Sequence, residues 1–294
     1  MNFVKNKHRR NKDLRKNILF AFMILLLIFI VFFKTIFINA KNKETEVEVL
    51  ALKNQELLQS TDPIIKDLVD KSKQNKKVNL ILNNIDKYPE ELLKLASKNS
   101  ETVDFVADYS KYLSSTKSNS ISVESDYKSG KIPLFSQWDE RWGYEKYGDD
   151  YLAIDGCAPT SLAMVAVGLT GNTTINPKVV ADYAYANNFY IKGVGSSWNL
   201  ISQGVKYFGL KSEELPLTKS AIISTLKDKK PIILTVKPGT FTSTGHFLVL
   251  TGLTSDGKIK INDPNSKINS KKTWDVDVFL KETKNLWKIS LLKT

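Results

Sequence analysis

The sequence predicts an α+β domain over residues 131–294, with helices in its first half and an antiparallel sheet in its second. Three observations predict this class. Helix-start signals and helical apolar periodicity lie between residues 157 and 227, and apolar runs separated by turn signals follow from residue 231. The chain is also 42% hydrophobic and 10% aromatic, which is sufficient for a packed core. The region has the length of an ordinary single domain.

Local signals justify each element of this domain. Asp155-Gly156 is turn sequence, and Pro159 lies in the first turn of the helix that follows, where its missing N–H costs nothing. The predicted helices are Ala158 to about Leu169, Pro177 to Asn187, Ser197 to Phe208, and Ser220 to Lys227. The predicted strands are Pro231 to Val236, His246 to Leu253, Lys258 to Asp263, and Leu286 to Leu291.

Residues 41–113 are predicted to form a helical stalk or a small packing subdomain. Asp62-Pro63 is an N-cap followed by proline at the first helical position, and Pro89 precedes two acids in another first turn. Residues 114–130 contain seven serines, which is typical of a flexible linker or a loosely held strand. We therefore place the domain boundary near Lys131, and a fragment starting there is expected to fold and react without the preceding helices.

The charge of the chain is concentrated at its N-terminus. The net charge is +12, and the first forty residues hold eight basic residues and one acid. The remaining residues are nearly balanced, with 35 basic and 30 acidic side chains. A nucleic-acid-binding protein would carry a basic stripe on its folded domain, so the charge pattern argues against a nucleic-acid partner.

A long apolar run follows the basic residues. Ile18 to Phe33 is uninterrupted, and residues 18–38 would span about 31 Å as a helix, enough to cross a bilayer. The run predicts a transmembrane anchor over 18–38, after a cytoplasmic tail over 1–17, because basic flanks stay inside. The body would then be extracellular. A cleaved signal peptide ending at Ala40 is the alternative, and it also exports the body.

Two residue types are scarce. Cys157 is the only cysteine, so no intramolecular disulfide can form. His8 and His246 are the only histidines, too few for a zinc site that draws on several Cys and His ligands. A carboxylate-based calcium or magnesium site is not excluded by these counts. We expect no cofactor.

Cys157 and His246 form the candidate pair for nucleophilic catalysis. A lone cysteine is usually a small buried hydrophobe, but Cys157 stands at a predicted helix start, where unpaired N–H groups favour a thiolate. A thiolate nucleophile needs a base, and His246 is the only histidine on the same side of the predicted membrane. It begins an almost wholly apolar strand, which would place it at the rim of a sheet.

Asp263 is the candidate that orients His246. If residues 254–257 form a four-residue loop, Leu253 pairs with Lys258 and His246 lies diagonally from Asp263; a two-residue loop would pair them directly. Asp263 also shares the face of Ile259 and Ile261, and an acid on a buried face needs a partner. The three residues indicate acyl transfer through a thioester. Oxyanion donors would be the Cys157 N–H and the Gln137 side-chain amide, the latter on a weak sequence signal.

Five separated motifs resemble the bacterial C39-like cysteine peptidase family over about Lys131 to Thr294. They are Pro133–Trp142 with Tyr147-Gly148, Gly156–Met164, Gly195–Trp198, Gly245–Leu250 and Asn262-Asp263-Pro264. The resemblance implies a papain-like fold with a triad of Cys157, His246 and Asp263, and Gln137 as the oxyanion residue. The family usually has glycine after the nucleophile, and here it is Ala158, which narrows the approach to the sulfur. Residues 88–109 also resemble a segment found upstream of such domains in some Gram-positive proteins.

The sequence therefore predicts a membrane-anchored extracellular cysteine peptidase whose partner is a peptide or protein substrate. Bacteriocin-processing members of the family sit on ABC transporters in the cytosol, so that role is not expected on the opposite face of the membrane. One alternative is a cell-wall peptidoglycan amidase or endopeptidase with the same triad, although no wall-binding repeat is visible. Another is a non-catalytic binding domain on the same fold. Specificity is expected to lie in the loops 170–176 and 238–244.

Overall fold

The computed structural model describes residues 23, 27–38, 41, 55–115 and 121–292, and the chain divides into two compact units, Met1–Val69 and Asp70–Thr294. In the first unit, residues 27–38 are helical and exposed. None of the helices within the described residues combines the length and the apolar character that a membrane crossing requires. The predicted tail, part of the predicted anchor, and the alternative cleavage position at Ala40 lie outside the described residues.

The helix α1 (Pro63–Ser72) begins as its sequence predicts. The Asp62 Oδ1 atom accepts a hydrogen bond from the Ile64 N–H at 2.7 Å, so Asp62 caps the helix and Pro63 occupies its first position. The helices that follow in the second unit are α2 (Val78–Asn83), α3 (Glu90–Lys98), α4 (Val103–Ala107) and α5 (Tyr109–Ser114), with single 3₁₀ turns at Ile85–Lys87 and Ser100–Thr102.

The helices α4 and α5 pack directly on the domain that follows them. The Phe105 ring stacks on the Tyr144 ring with centroids 4.0 Å apart, and the Tyr144 hydroxyl donates to the Phe105 carbonyl. The Tyr109 and Tyr151 hydroxyls are 3.1 Å apart. Contacts between aromatic rings of this kind stabilise the packing beyond what the burial of their apolar surface provides. Residues 105–109 of the segment predicted as a stalk or small subdomain are thus attached to the surface of residues 131–294.

The end of the predicted linker is also held against the domain. Val123 is fully buried in the main core, and the Asn176 side chain donates to the Ile121 carbonyl at 3.1 Å. Arg141 binds Asp126 at 2.7 Å and also donates to the Ser122 carbonyl. These contacts order residues 121–130, the part of the serine-rich segment that the structure describes beyond Ser115.

A six-stranded antiparallel sheet forms the centre of the domain, which is therefore α+β with an antiparallel sheet, as predicted. The strands of this sheet are β5 (Leu210–Glu214), β6 (Ile232–Val236), β7 (His246–Leu253), β8 (Ile259–Asn262), β9 (Thr273–Trp274) and β10 (Thr283–Leu291). Their order across the sheet is β5-β10-β6-β7-β8-β9. Two small hairpins lie outside this sheet, formed by β1 (Lys146–Tyr147) with β2 (Asp150–Tyr151) and by β3 (Tyr190–Ile191) with β4 (Gly195–Ser196).

Helices cover both faces of the sheet. On one face the helix running from Cys157 to Thr170 packs with Phe247, Val249 and Trp287 in the main core. On the other face, Leu248 and Leu250 form a second core with the helices at residues 219–227 and 276–282. The remaining helices are α6 (Leu152–Asp155), α7 (Cys157–Thr170), α8 (Pro177–Ala186), α9 (Asn199–Ser202), α10 (Lys219–Lys227), α11 (Lys267–Lys271) and α12 (Val276–Glu282).

One predicted helix is interrupted. The single helix expected over Ser197–Phe208 is instead α9 followed by a 3₁₀ helix at Gly204–Phe208. Gly204 lies at the break, and a side chain there would approach Leu200 and Phe189 to within 3.1 and 3.2 Å. Glycine also weakens a helix interior. The apolar pattern that suggested one helix is therefore shared by two short ones.

Candidate active site

Cys157 is the first residue of α7 and follows a junction that only glycine permits. The short helix α6 ends at Asp155, and Gly156 separates it from α7. A Cβ atom on Gly156 would lie 2.2 Å from the Leu152 carbonyl oxygen, closer than any real contact. The tight junction places a half-buried, free thiol at the start of a helix whose next ten residues are buried. Helix dipoles favour a thiolate at this end.

His246 and Asp263 are in direct contact. The His246 Nε2 atom lies 2.7 Å from the Asp263 Oδ1 atom, and the two side chains are only 5% and 1% exposed. The loop between β7 and β8 has five residues rather than four, since Leu253 pairs with Ile259. A bulge between Leu250 and Gly252 then shifts the register, so that Val249 pairs with Asn262. Continuing this register places His246 diagonally from Asp263, the arrangement predicted for a four-residue loop.

The pair is electrostatically coupled and also involves the cysteine. Burial alone would lower the pKa of His246, but the charge and hydrogen bond of Asp263 and the Cys157 thiol outweigh it and raise that pKa. Burial alone would raise the pKa of Asp263, but His246, Asn269 and the Asn265 N–H lower it. Because Nε2 is bonded to Asp263, Nδ1 is the ring nitrogen that remains for another partner. The arrangement favours the protonated, cationic form of His246 beside the ionised Asp263 carboxylate.

Residues 265–270 surround the Asp263 carboxylate with donors. The Asn265 N–H donates to Oδ1 at 2.9 Å, and the Asn269 side chain donates to Oδ2 at 3.0 Å. The Asp263 N–H itself donates to the Ser270 hydroxyl at 2.8 Å. A buried carboxylate is tolerated only when such bonds replace its water. Sequence reasoning missed Asn265, Asn269 and Ser270; the Asp-Pro-Asn turn was the available signal, because aspartate often bonds the backbone two residues on.

Gln137 lies between the nucleophile and the acid. Its backbone N–H donates to the Pro264 carbonyl at 2.8 Å, and its side-chain nitrogen donates to the Ala153 and Ile154 carbonyls at 2.8 and 3.0 Å. Both amide hydrogens therefore have acceptors, whereas Oε1 has none among the described residues. The predicted oxyanion role of Gln137 requires one of these bonds to be released to a substrate. The observed bonds connect the segment just before Cys157 to the segment just after Asp263.

Asp155 is a second acid close to the nucleophile that sequence reasoning did not assign. Burial, with a smaller contribution from the charge of Asp150, raises the pKa of Asp155 to about 6. Within the described part of the chain its Oδ2 atom is buried without a hydrogen-bond partner. The carbonyl of Asp155 lies 3.3 Å from the position that a Cβ on Gly195 would take. The β3–β4 hairpin thus comes close to the turn that carries Cys157.

No group of three or more histidine, cysteine, aspartate or glutamate side chains among the described residues is arranged to hold a metal ion. The candidate site brings together a thiol, an imidazole, a carboxylate and backbone or side-chain amides. These are the components of covalent acyl transfer. Fold and site together define a cysteine-peptidase-like domain.

Comparison with known proteins identifies the family. The Peptidase_C39 like family matches residues 129–290, more than half of the chain, so this protein belongs to that family. Among solved structures, the chain is similar to the peptidase domain of Streptococcus ComA, described as a bifunctional ABC transporter involved in a quorum sensing pathway. That match has 19% identity and a TM-score of 0.37, and it covers 48% of this chain and 93% of the other. No curated protein matches the chain.

Proposed function

We propose that the protein is a cysteine peptidase that hydrolyses amide bonds through Cys157, His246 and Asp263. The observation that carries the proposal is the position of the His246 ring, which bonds Asp263 at 2.7 Å through Nε2 and interacts with the Cys157 thiol. A base that is held by a buried acid and interacts with a thiol is the combination that thiolate catalysis requires. Membership of the Peptidase_C39 like family supports the same reaction class.

The first half of the reaction forms a thioester. The Cys157 thiolate attacks the carbonyl carbon of the substrate, and a tetrahedral oxyanion forms. The C–N bond then breaks, and the His246 imidazolium gives its proton to the departing amine. Asp263 keeps the ring oriented and stabilises its positive charge throughout this step.

The second half of the reaction hydrolyses the thioester. Neutral His246 accepts a proton from water, and the resulting hydroxide attacks the thioester carbonyl. The C–S bond breaks, the carboxylic acid product leaves and gives its proton to solvent, and the thiolate–imidazolium pair is restored. The oxyanion of each step would accept hydrogen bonds from the Cys157 N–H and, after release of a carbonyl, from the Gln137 amide.

The proposed location is outside the cell, with the protein anchored by its apolar N-terminal segment. The support is the charge asymmetry, since seven basic residues and one acid precede the apolar run that begins at Ile18. Protease shaving of intact cells should remove the domain carrying Cys157. A domain that resists shaving of intact cells but is digested after lysis would contradict this location.

An activity-based thiol probe on the full chain tests the proposed chemistry. We expect the wild-type protein to be labelled at Cys157 at acidic pH and then to cleave members of a peptide library. Cys157→Ala should abolish labelling, and His246→Ala should move labelling to higher pH and abolish cleavage. His8→Ala, which removes the only other histidine, is the matched control and should behave as wild type.

Two results would count against the proposal. If His246→Ala leaves both the pH profile of labelling and the cleavage unchanged, the imidazole does not act on Cys157. If the probe labels Cys157 but neither peptides nor peptidoglycan fragments are cleaved by any preparation, the domain is not a hydrolase. Cleavage of peptidoglycan fragments alone would assign the reaction to the cell wall.

A further inference from the structure

The helical segment that precedes residues 129–290 contacts the loop after Asp263, the acid proposed to orient His246. The Glu101 Oε2 atom accepts hydrogen bonds from the Lys267 and Ile268 N–H groups at 2.9 and 3.2 Å. Its Oε1 atom accepts from the Ser266 hydroxyl at 2.5 Å. Glu101 therefore caps the N-terminus of α11, although more than 160 residues separate them in the sequence. Charge-assisted bonds to backbone donors are among the stronger hydrogen bonds in proteins.

A second contact lies closer to the acid. The Asn99 side-chain nitrogen donates to the Asn265 carbonyl at 2.8 Å, while its Oδ1 atom accepts from the Glu101 N–H at 3.0 Å. The Asn265 N–H in turn donates to the Asp263 Oδ1 atom, which is the atom that holds His246. The backbone of Asn265 thus connects Asn99 to the carboxylate oxygen that holds the imidazole.

The capped helix also carries two of the groups that hold Asp263. Asn269 donates to its Oδ2 atom and Ser270 accepts from its N–H, and both residues lie in α11. A displacement of α11 would therefore weaken one hydrogen bond to the Asp263 carboxylate and one from the Asp263 backbone N–H. The helix has only five residues, so its own backbone bonds cannot hold it in place, and outside contacts must do so.

We propose that Asn99 and Glu101 are positioning residues for Asp263, so that the helices preceding the family domain are part of the catalytic machinery. The inference rests on the proposed function, because it assigns the loop a role only if Asp263 orients His246. It also opposes the expectation that residues 131–294 suffice for reaction. The contacts predict that loss of either side chain makes the protonated form of His246 less stable. No group that touches substrate is removed by such a substitution.

The surroundings of Glu101 contain other charges that a test must keep constant. Glu101 lines a cavity of about 500 Å³ beside Trp138. The charged groups that share this cavity are Asp104, Asp139, Glu140, Arg141 and Lys267. Asp139 pairs with Arg141, Asp104 pairs with Lys77, and the Lys267 ammonium lies 4.5 Å from the centre of the Trp138 ring. Substitutions are therefore confined to Asn99 and Glu101.

The experiment measures the pH profile of iodoacetamide labelling of Cys157 in the full chain. We expect Glu101→Ala to reduce the labelling rate at pH 6 by about 3- to 10-fold, because a lost cap of this kind weakens the imidazolium that sustains the thiolate. The acid limb of the profile should shift to higher pH, in the same direction as for Asp263→Asn but by less. Glu101→Gln retains an acceptor oxygen and should restore most of the wild-type profile.

Asn99→Asp separates the two contacts of that side chain. It retains the oxygen that caps the Glu101 N–H but loses the donor to the Asn265 carbonyl, so it should shift the profile by itself. Glu90→Ala, an exposed acid in the first turn of α3, is the matched control and should leave the profile unchanged. Thermal unfolding of each sample identifies the folded fraction to which the labelling rate is referred.

The outcomes distinguish this inference from the proposed function. If Asp263→Asn shifts the profile but folded Glu101→Gln, Glu101→Ala and Asn99→Asp match the wild type, the positioning role is wrong and the triad stands. An equal shift in Glu90→Ala would also overturn it. If Asp263→Asn itself leaves the profile unchanged, the proposed function fails first. Should Glu101→Ala not fold, the Asn99→Asp profile decides the matter, because Glu101→Gln is expected to resemble the wild type.

Discussion

The two ends of the candidate site are built in opposite ways. Cys157 is placed by its neighbours in sequence, since α6, Gly156 and α7 form one continuous local unit. Asp263 is placed by a loop whose own support comes from Asn99 and Glu101, far away along the chain. The proposed nucleophile is thus placed by local backbone geometry, whereas the acid proposed to orient His246 depends on long-range contacts. Substitutions around Asp263 should therefore act through the hydrogen-bond network. Substitutions around Cys157 should instead have steric effects that are confined to neighbouring residues.

The largest effect is expected at the acid end. Asp263→Asn removes the charge that holds the His246 ring and should lower turnover by about 10²- to 10⁴-fold, because the ring loses its orientation and its stabilised charge. Steady-state cleavage of a peptide found by library screening measures this change. The far-ultraviolet circular dichroism spectrum should stay that of the wild type. Turnover within a factor of about three of wild type would show that the acid end has no catalytic part.

The stability of the His246–Asp263 pair should depend on pH in both directions. The pKa of Asp263 is lowered in the folded protein, so its contribution is present above its unfolded pKa, about 3.9, and is lost as pH falls. The pKa of His246 is raised, so its contribution is complete below its unfolded value, about 6.5, and is lost as pH rises. The contribution is therefore greatest between about pH 4 and 6.5.

Denaturant titrations of wild type and Asp263→Asn measure that contribution. We expect the difference in unfolding free energy to reach about 3 kcal/mol inside this window and to shrink on both sides of it. Glu101→Ala should reproduce the same pH window with a smaller amplitude if the acid end acts as one network. A difference that is constant from pH 3 to pH 9 would exclude a coupled pair.

The local character of the nucleophile end is tested by Gly156→Ala. The new methyl group would overlap the Leu152 carbonyl oxygen, so the α6–α7 junction must shift, at a cost of about 1–3 kcal/mol. Chemical denaturation measures this loss, and Gly252→Ala is the control because no described atom lies within 4 Å of its new Cβ. The pH dependence of stability that arises from Asp263 should remain. Equal losses in the two variants would remove the steric argument.

The smallest expected effect concerns Asp155, beside the nucleophile. Its folded pKa of about 6 lies above the ordinary value, so ionisation at neutral pH costs stability that is fully present only below about pH 4. Asp155→Asn should therefore stabilise the protein at pH 7.5 by about 1 kcal/mol, a figure reduced for the solvent that reaches this half-buried side chain, and should change little at pH 4. Thermal unfolding at the two pH values checks the sign. Destabilisation at pH 7.5 would mean that the carboxylate has a favourable partner.

Most of the domain's secondary structure could be predicted because its signals are local. The predicted strand His246–Leu253 is the observed one, and the predicted helix at Pro177 ends one residue earlier, at Ala186. The strand β5 and the helices α11 and α12 were missed. β5 has a largely polar sequence at the sheet edge, and α11 has no buried residue that would produce a periodic pattern. Such elements form because neighbouring elements hold them.

The sequence by itself determined which residues can carry the chemistry. One cysteine at a helix start, one histidine at a strand start, and an aspartate across a short hairpin leave few alternatives, because hairpin connectivity and strand alternation limit what can meet. Tertiary structure decided how these groups are held. The bulge after Leu250, the bonds of Gln137 to Ala153 and Ile154, and the support of Asp263 by Asn99 and Glu101 join segments distant in sequence. Contacts of this kind depend on how packed elements meet, and no spacing within one segment encodes them.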